Sequence, residues 1–432
     1  MVYVLDINGQ PLMPTSRHRK VRKLLNAKLA KVVKRCPFTI QLLYEPDTHV
    51  TQPVSLGMDA GSKHIGIAAT TEIKVLYAEE LEPRNDMVKL LSVRRQNRRT
   101  RRSHKTRYRQ ARFNNRVHSK HKGWLAPSVE VKIQEHISAI KRVQAILPIT
   151  DVHVETAEFD TQRLKALEDG KPLPIGKDYQ LGALYDSYNV RQYVLKRDNY
   201  TCQCCGAKNV KLHVHHKESR QTGSEAPWNK ITLCEDCHEG IHLGTKTLPD
   251  KKAKPSKSLR DAAFMGIMRQ TLLDRLRNQL DIPVTGTYGY ITKMYRERYN
   301  IEKSHINDAI VISKNFKAIP NGTWYKTKAV RHHNRQIHKN TIQKGGYRKL
   351  NQAPHVVKGF RLFDKVLFKN EECFIFGRRS SGSFDVRTLN GTKISPCAGY
   401  KKLRILETAK CVLFEKRSGS SSPTVETVGF PA

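Results

Sequence analysis

The chain has 432 residues, room for roughly three domains at about 150 residues each. Hydrophobic residues at 38% and charged residues at 27% exclude disorder throughout, and no apolar run is long enough for a membrane span. Lys and Arg number 78 against 39 Asp and Glu, a formal charge of +39, so the chain repels itself unless a polyanion neutralises it; nucleic acid is the expected partner and a membrane is not.

The start, Met1-Val2-Tyr3-Val4-Leu5-Asp6, lacks a signal-peptide pattern, which predicts an intracellular protein. An apolar run at Val2 to Leu5 reads as a strand. A turn at Asn8-Gly9, the stretch Pro11-Leu12-Met13-Pro14, a basic helix over 20–29 and a strand over 38–44 follow. Strands are expected over 54–58, 65–69 and 73–78, with a turn at Asp59-Ala60-Gly61-Ser62. No acid occurs between Met87 and Val129, while Arg94, Arg95, Arg98, Arg99, Arg101, Arg102, Arg109, Arg112 and Arg116 recur at spacings that share helix faces. A solvated basic arm is the bland reading. A helix laid along phosphates is the functional one, because residues 94–109 offer no apolar stripe for a core.

Ser128 is the expected N-cap of an amphipathic helix with Val129, Ile133, Ile137 and Ile140 facing inward. Asp151 to Glu155 reads as a short strand ending in an acid, and 160–185 as a linker. A helix over 190–197 leads into a Cys-rich module ending near His242, followed by a second linker and a helix through Leu276. Residues 284–294 read as strand and turn, and His305 to Asp308 open an apolar helix. A second acid-free segment, Ala309 to Phe363, includes Arg331 and Arg335 and reads as a further nucleic-acid surface. Short strands over 364–415 predict a small β-barrel, and a Ser-rich tail closes the sequence.

Two motif sets carry chemistry. Cys202-x-x-Cys205 and Cys234-x-x-Cys237 supply four thiolates from two tight turns, the ligand set of a closed structural Zn²⁺ site; Cys204 competes with Cys205 for one position. Between and after these pairs lie His215-His216, Asn229, His238 and His242, an order that resembles the HNH (ββα-metal) nuclease family. A phosphodiester needs an activated water, a cation and a base unprotonated near neutral pH, and imidazole suits the last role. The resemblance implies His216 as general base, His215 and His238 as ligands of the catalytic metal with His242 also placed to ligate, and Asn229 orienting the base. A zinc ribbon that only binds is the alternative.

The second set is acidic. Asp59 and Glu155 end strands and Asp308 opens a helix after His305, so the three could gather at one end of a sheet and hold two divalent ions, Mg²⁺ or Mn²⁺. Residues 59–66, Val154-Glu155 with 159–162, and His305 to Ala309 resemble the three split segments of a RuvC nuclease domain with an RNase H-like fold. Glu158 competes with Glu155 as the ligand, and Ala60 stands where the family commonly has proline.

With the inserted HNH motif, the Arg run and the Pro11 to Pro14 stretch, the chain resembles the IscB family, transposon-encoded relatives of type II CRISPR effectors. That resemblance implies an α/β multidomain protein: an N-terminal domain at 1–52, RuvC segments at 53–82, 128–160 and 258–320, a bridge helix at 83–127, and an HNH module at 190–243 between linkers 161–189 and 244–257. A basic RNA-binding segment at 321–363, a target-adjacent-motif β domain at 364–415 and a tail at 416–432 complete it. It implies an RNA-guided double-stranded DNA endonuclease with Mg²⁺ or Mn²⁺ at both the RuvC and HNH centres, a structured noncoding guide RNA and target DNA as partners, and a prokaryotic cytoplasmic, nucleoid-associated location. An RNA-independent homing-type endonuclease or junction resolvase, or a non-cleaving ribonucleoprotein, are the alternatives.

Overall fold

The computed structural model describes residues 1–46, 50–103, 123–156, 172, 190–218, 227–249, 260–331, 338–342, 344–346, 348–350 and 353–419. Strands β1 (Val2–Leu5), β2 (Pro11–Thr15), β3 (Ala30–Lys34) and β4 (Thr39–Leu42), with helix α1 (His18–Asn26), form a four-stranded sheet of order β2-β1-β4-β3. The Pro11 to Pro14 stretch is itself a strand. It sits at the sheet edge, where prolines that cannot donate to a ladder are tolerated. Helix α1 stops earlier than expected because Lys28 takes a left-handed φ of 57° and turns the chain into β3.

Strands β5 (Ser55–Asp59), β6 (Ile65–Thr70) and β7 (Val75–Glu82) precede helices α2 (Met87–Ser103) and α3 (Pro127–Gln144) and strand β8 (Asp151–Thr156). Helix α3 is capped at Ala126 rather than at Ser128, with no side-chain cap bond. Pro127 at the first helical position pre-sets φ and forfeits only an N–H that has no helical partner. Ile133, Ile137 and Ile140 are fully buried, as the periodicity requires.

After helix α4 (Val190–Arg197), strands β9 (Leu212–His216) and β10 (Lys230–Cys234) pair antiparallel and run into helix α5 (Glu235–His242). Helix α6 (Arg260–Gln279), strand β11 (Val284–Tyr288), helices α7 (Gly289–Arg298) and α8 (His305–Ile312), and strand β12 (Thr323–Ala329) follow. Residues 289–294, expected to turn, are helical. Strands β13 (His338–Ile342) and β14 (Arg348–Leu350) form a small hairpin; β15 (Lys365–Phe368), β16 (Glu371–Arg378), β17 (Ser383–Arg387), β18 (Lys393–Gly399), β19 (Arg404–Glu407) and β20 (Val412–Ser418) complete the chain.

The main sheet has order β11-β8-β5-β6-β7-β12-β20. Strand β6 runs antiparallel to both of its neighbours β5 and β7, whereas β8 runs parallel to β5 and β11 parallel to β8. The expected β-barrel is instead an open antiparallel sheet of order β18-β17-β16-β15-β19 around Val366, Phe384 and Val386. The chain after β19 leaves that sheet, and β20 pairs with β12 in the main one. Residues 1–159 with 268–432 form one unit and 160–267 a second. Among the described residues no helix is long and apolar enough to cross a membrane.

Candidate metal centres

In the main unit, Asp59 closes β5 and Glu155 lies one residue past the paired positions Met58 and Val154, so the two acids end neighbouring parallel strands. Strand alternation sends Leu56 and Met58 to one face and Gly57 and Asp59 to the other, where α8 lies. Two glycines permit its close approach. A Cβ at Gly57 would fall 2.0 Å from the Ala309 carbonyl oxygen, and one at Gly66 would fall 1.8 Å from that of His305. Ser304 caps α8 by accepting the Asn307 N–H, which sets His305 and Asp308 in its first turn.

His305 Nδ1 donates to Asp59 Oδ2 at 2.6 Å, and Asp59 holds the imidazole above its ordinary pKa. The His64 ring stacks on His305 at 5.4 Å, and its Nδ1 lies 3.1 Å from Glu80 Oε1. Helix α7, absent from the sequence reading, brings two further groups: the Thr292 hydroxyl donates to Glu155 Oε2 at 2.5 Å, and Arg296 Nε lies 3.2 Å from Asp308 Oδ1. Their spacing of four puts both on one helix face.

Burial pushes Glu155 up to about 7 against the Thr292 hydroxyl, with Asp59 and Asp308 adding to the rise. Burial and Asp59 likewise lift Asp308 to about 6, with Arg296 and His305 opposing. Carboxylates that raise one another in this way are a good environment for a divalent cation bound through oxygen. Asp59, Glu155 and Asp308 do not gather as closely as the Cys and His groups described next, whose ligand atoms all lie within 4.8 Å of one another. Glu158 lies outside the described residues.

In the second unit, Cys202, Cys205, Cys234 and Cys237 gather with their sulfurs within 4.8 Å of one another. Cys205 Sγ and Cys234 Sγ are 3.6 Å apart, close to the roughly 3.8 Å that ligands 2.3 Å from a tetrahedral Zn²⁺ would show. The fit resolves the competition at the first knuckle for Cys205. Gly206, at φ 74°, donates its N–H to the Cys202 carbonyl and closes the turn. Burial raises the Cys202 thiol, but backbone N–H groups of Cys205, Cys234 and Cys204 outweigh it and bring it down to about 6. Lys246 Nζ approaches Cys237 Sγ at 3.4 Å.

His215, His238 and His242 form the other tight group, each able to place a ring nitrogen within 4.8 Å of the others. The Nε2 atoms of His238 and His242 stand 3.4 Å apart, which matches nitrogens about 2.0–2.1 Å from one tetrahedral ion. Burial and the neighbouring His238 and His242 drop His215 to about 4, so its ring nitrogen is left unprotonated for a metal at pH 7. His216, next along β9, points to the opposite strand face. Buried Asn229 accepts the Glu218 N–H through Oδ1 at 2.9 Å and donates from Nδ2 to the Glu218 carbonyl at 3.0 Å, fixing the chain just past His216.

Arg197 and Asp198, which the motif reading missed, bind this framework together. Arg197 donates to the Pro227 and Lys230 carbonyls, and Asp198 accepts the Thr232 N–H. His213 stacks on His238 at 5.1 Å, on the same strand face as His215.

Of the proposed nucleic-acid contacts, Arg94, Arg95, Arg98 and Arg99 are exposed on α2, and Arg101 and Arg102 fall in its last turn. Arg331 follows β12 and is half-buried; Arg109, Arg112, Arg116 and Arg335 lie outside the described residues. The family model described as RRXRR protein matches residues 2–180. The matched segment is less than half of the chain and stops before the Cys and His module.

No curated protein matches the chain. Similar solved structures include Cas9 of Streptococcus thermophilus in complex with the AGAA PAM, at 13% identity and a TM-score of 0.31, covering 52% of this chain and 32% of that one. The same protein in complex with the GGAA PAM gives 14% identity, a TM-score of 0.29, and coverage of 50% and 30%. The chain therefore spans about a third of the length of those proteins.

Proposed function

We propose that this chain is an IscB-type RNA-guided endonuclease that cuts both strands of DNA, the His centre cutting one strand and the acid centre the other. The observation that carries the reading is the presence, in one chain of charge +39, of the His215, His238 and His242 set in one unit and, in the other, of Asp59, Glu155 and Asp308, where Asp59 helps lift both other carboxyls. The strand order β7-β6-β5-β8-β11, three antiparallel strands continued by two parallel ones, supports an RNase H-like RuvC domain, and the β9-β10-α5 run supports an HNH module.

At the His centre, His215, His238 and His242 would hold the ion. His216 takes the proton from the attacking water while Asn229 keeps its strand end in place through Glu218. At the acid centre, Asp59, Glu155 and Asp308 would hold the cations. His305 stays oriented by Asp59 and accepts or returns a proton at the ring nitrogen that Asp59 does not bind. When bound, the divalent ions supply charge stabilisation at the phosphate and leaving oxygen. The exposed Arg94, Arg95, Arg98 and Arg99 grip nucleic-acid backbone, which suits a protein that leaves sequence reading to base pairing.

Sequencing the RNA that copurifies with the protein tests the reading. One discrete structured RNA, required for cutting a matching duplex, is the expected result; full cutting by RNA-free protein would point to an RNA-independent endonuclease.

A further inference from the structure

The main unit holds a cavity of about 930 Å³ that the proposed cleavage chemistry does not use, bounded by β3, α3, the end of β12 and the chain from β19 into β20. We propose that it binds a nucleotide unit, with the phosphate at Lys34, Arg331 and Lys410 and the base against the apolar wall that includes Val33, Phe363 and Leu406.

Charge is the first argument. Several cations around the cavity are already engaged: Arg142 with buried Glu79 at 2.8 Å, Lys365 with Glu372 at 2.6 Å, and the Arg84 side chain with Asp86. Lys34, Arg331 and Lys410 have no ion-pair partner among the described residues. Lys34 Nζ rests instead over the Phe414 ring, 4.3 Å from its centroid, with the Arg142 guanidinium 5.9 Å from the same centroid. Burial chiefly, with Arg142 and Lys410 adding and Glu79 opposing, lowers the Lys34 ammonium to about 8, and an anion in the cavity would relieve it. The cavity's two acids do not supply that anion. Glu407 accepts the Cys36 N–H, and burial pushes Glu135 up to about 7 although it accepts the Arg84 N–H.

Size and shape give the second argument. The volume exceeds what an inorganic phosphate fills and lies in the range of small-molecule sites. Val33 keeps 49% of its surface exposed, and Phe363 and Leu406 are half-buried, so apolar area remains for a planar base. Cations beside such area match a nucleoside phosphate better than an acidic peptide, whose charge comes without a flat ring.

The source of that nucleotide as an RNA segment rests on the function proposed above, so the test separates the two. Full-length protein is titrated into a labelled twelve-residue oligouridylate and into an abasic ribose-phosphate oligomer of equal length, with UMP and polyglutamate as competitors. We expect the base-bearing oligomer to bind about tenfold more tightly. Lys34→Gln and, separately, Val33→Glu should each erase most of that difference, with unchanged melting.

Oligomer and UMP binding that are both insensitive to the two variants overturn the cavity assignment and leave RNA binding standing; failure of wild type to bind either oligomer or UMP overturns both. UMP binding lost in Lys34→Gln with oligomer affinity unchanged assigns the same site to a free nucleotide. Displacement by polyglutamate and not by UMP overturns the proposal in favour of an acidic peptide.

Discussion

The Cys and His module draws every candidate ligand from Cys202 to His242, on one tight turn, one hairpin and one short helix, whereas the three acids Asp59, Glu155 and Asp308 come from three distant parts of the chain. The first is held by its own thiolates and by Arg197 and Asp198; the second exists only if the main sheet, α7 and α8 are all in place. The donors differ as well. Three imidazoles suit an ion of the zinc class, while buried carboxylates suit Mg²⁺ or Mn²⁺. Damage to one centre should therefore spare the other, and the two should differ in stability, metal preference and pH response.

The largest effect is expected at the thiolates. Structural zinc binding contributes on the order of 10 kcal/mol in small zinc modules, so Cys237→Ser should unfold the module and drop zinc content, with nicking by the acid centre retained. Zinc analysis and limited proteolysis read this directly, and an intact zinc-free module that still nicks would contradict the assignment.

Next comes Gly66→Ala. Its Cβ would stand 1.8 Å from the His305 carbonyl oxygen, and forcing α8 away should destabilise the main unit by about 1–3 kcal/mol. Nicking by the acid centre should vanish while the module's persists, a loss measurable by thermal melting and a strand-specific assay.

Metal exchange sharpens the contrast without mutation. Mg²⁺ alone should support the acid centre's nick, and the module's nick should respond more strongly to added transition ions. Equal responses at both strands would count against the difference in donors.

The smallest effect is a pH slope. Glu155 and Asp308 have folded pKa values above those of free carboxyls, so these two groups bind more protons in the folded unit than in the unfolded chain, and their contribution to stability falls as pH rises from about 4.5 through about 7. Without divalent ions, Glu155→Gln should therefore melt with a shallower decline over this window than wild type. A divalent cation should flatten the wild-type decline and bind more tightly as pH rises.

The sequence carried the module almost whole, because its ligands are close in sequence and thiolate spacing is a strong local signal. Strands β5, β6 and β8 were legible from apolar runs that end in acids. Helix α7 was not: Gly289 and the tyrosines around it read as a turn, and its two contributions to the site, Thr292 and Arg296, became visible only when the helix lay beside Glu155 and Asp308. Gly57 and Gly66 looked like ordinary strand glycines until α8 was seen against them. Strand β12 was hidden inside an acid-free segment, since its lysines alternate with Tyr325, Thr327 and Ala329, which face inward. The missing barrel closure depends on β20 choosing β12 as partner, a long-range pairing that no local pattern announces.

The account turns on two independent centres directed by one RNA. The most direct measurement is cleavage of a duplex labelled on each strand by wild type, Asp59→Ala and His216→Ala, each purified with its RNA and assayed before and after ribonuclease treatment. Wild type should cut both strands, and each variant should lose one cut by roughly 10²–10⁴-fold while keeping the other. Ribonuclease should abolish all cutting. Loss of both cuts in either folded variant, or cutting indifferent to ribonuclease, would contradict it.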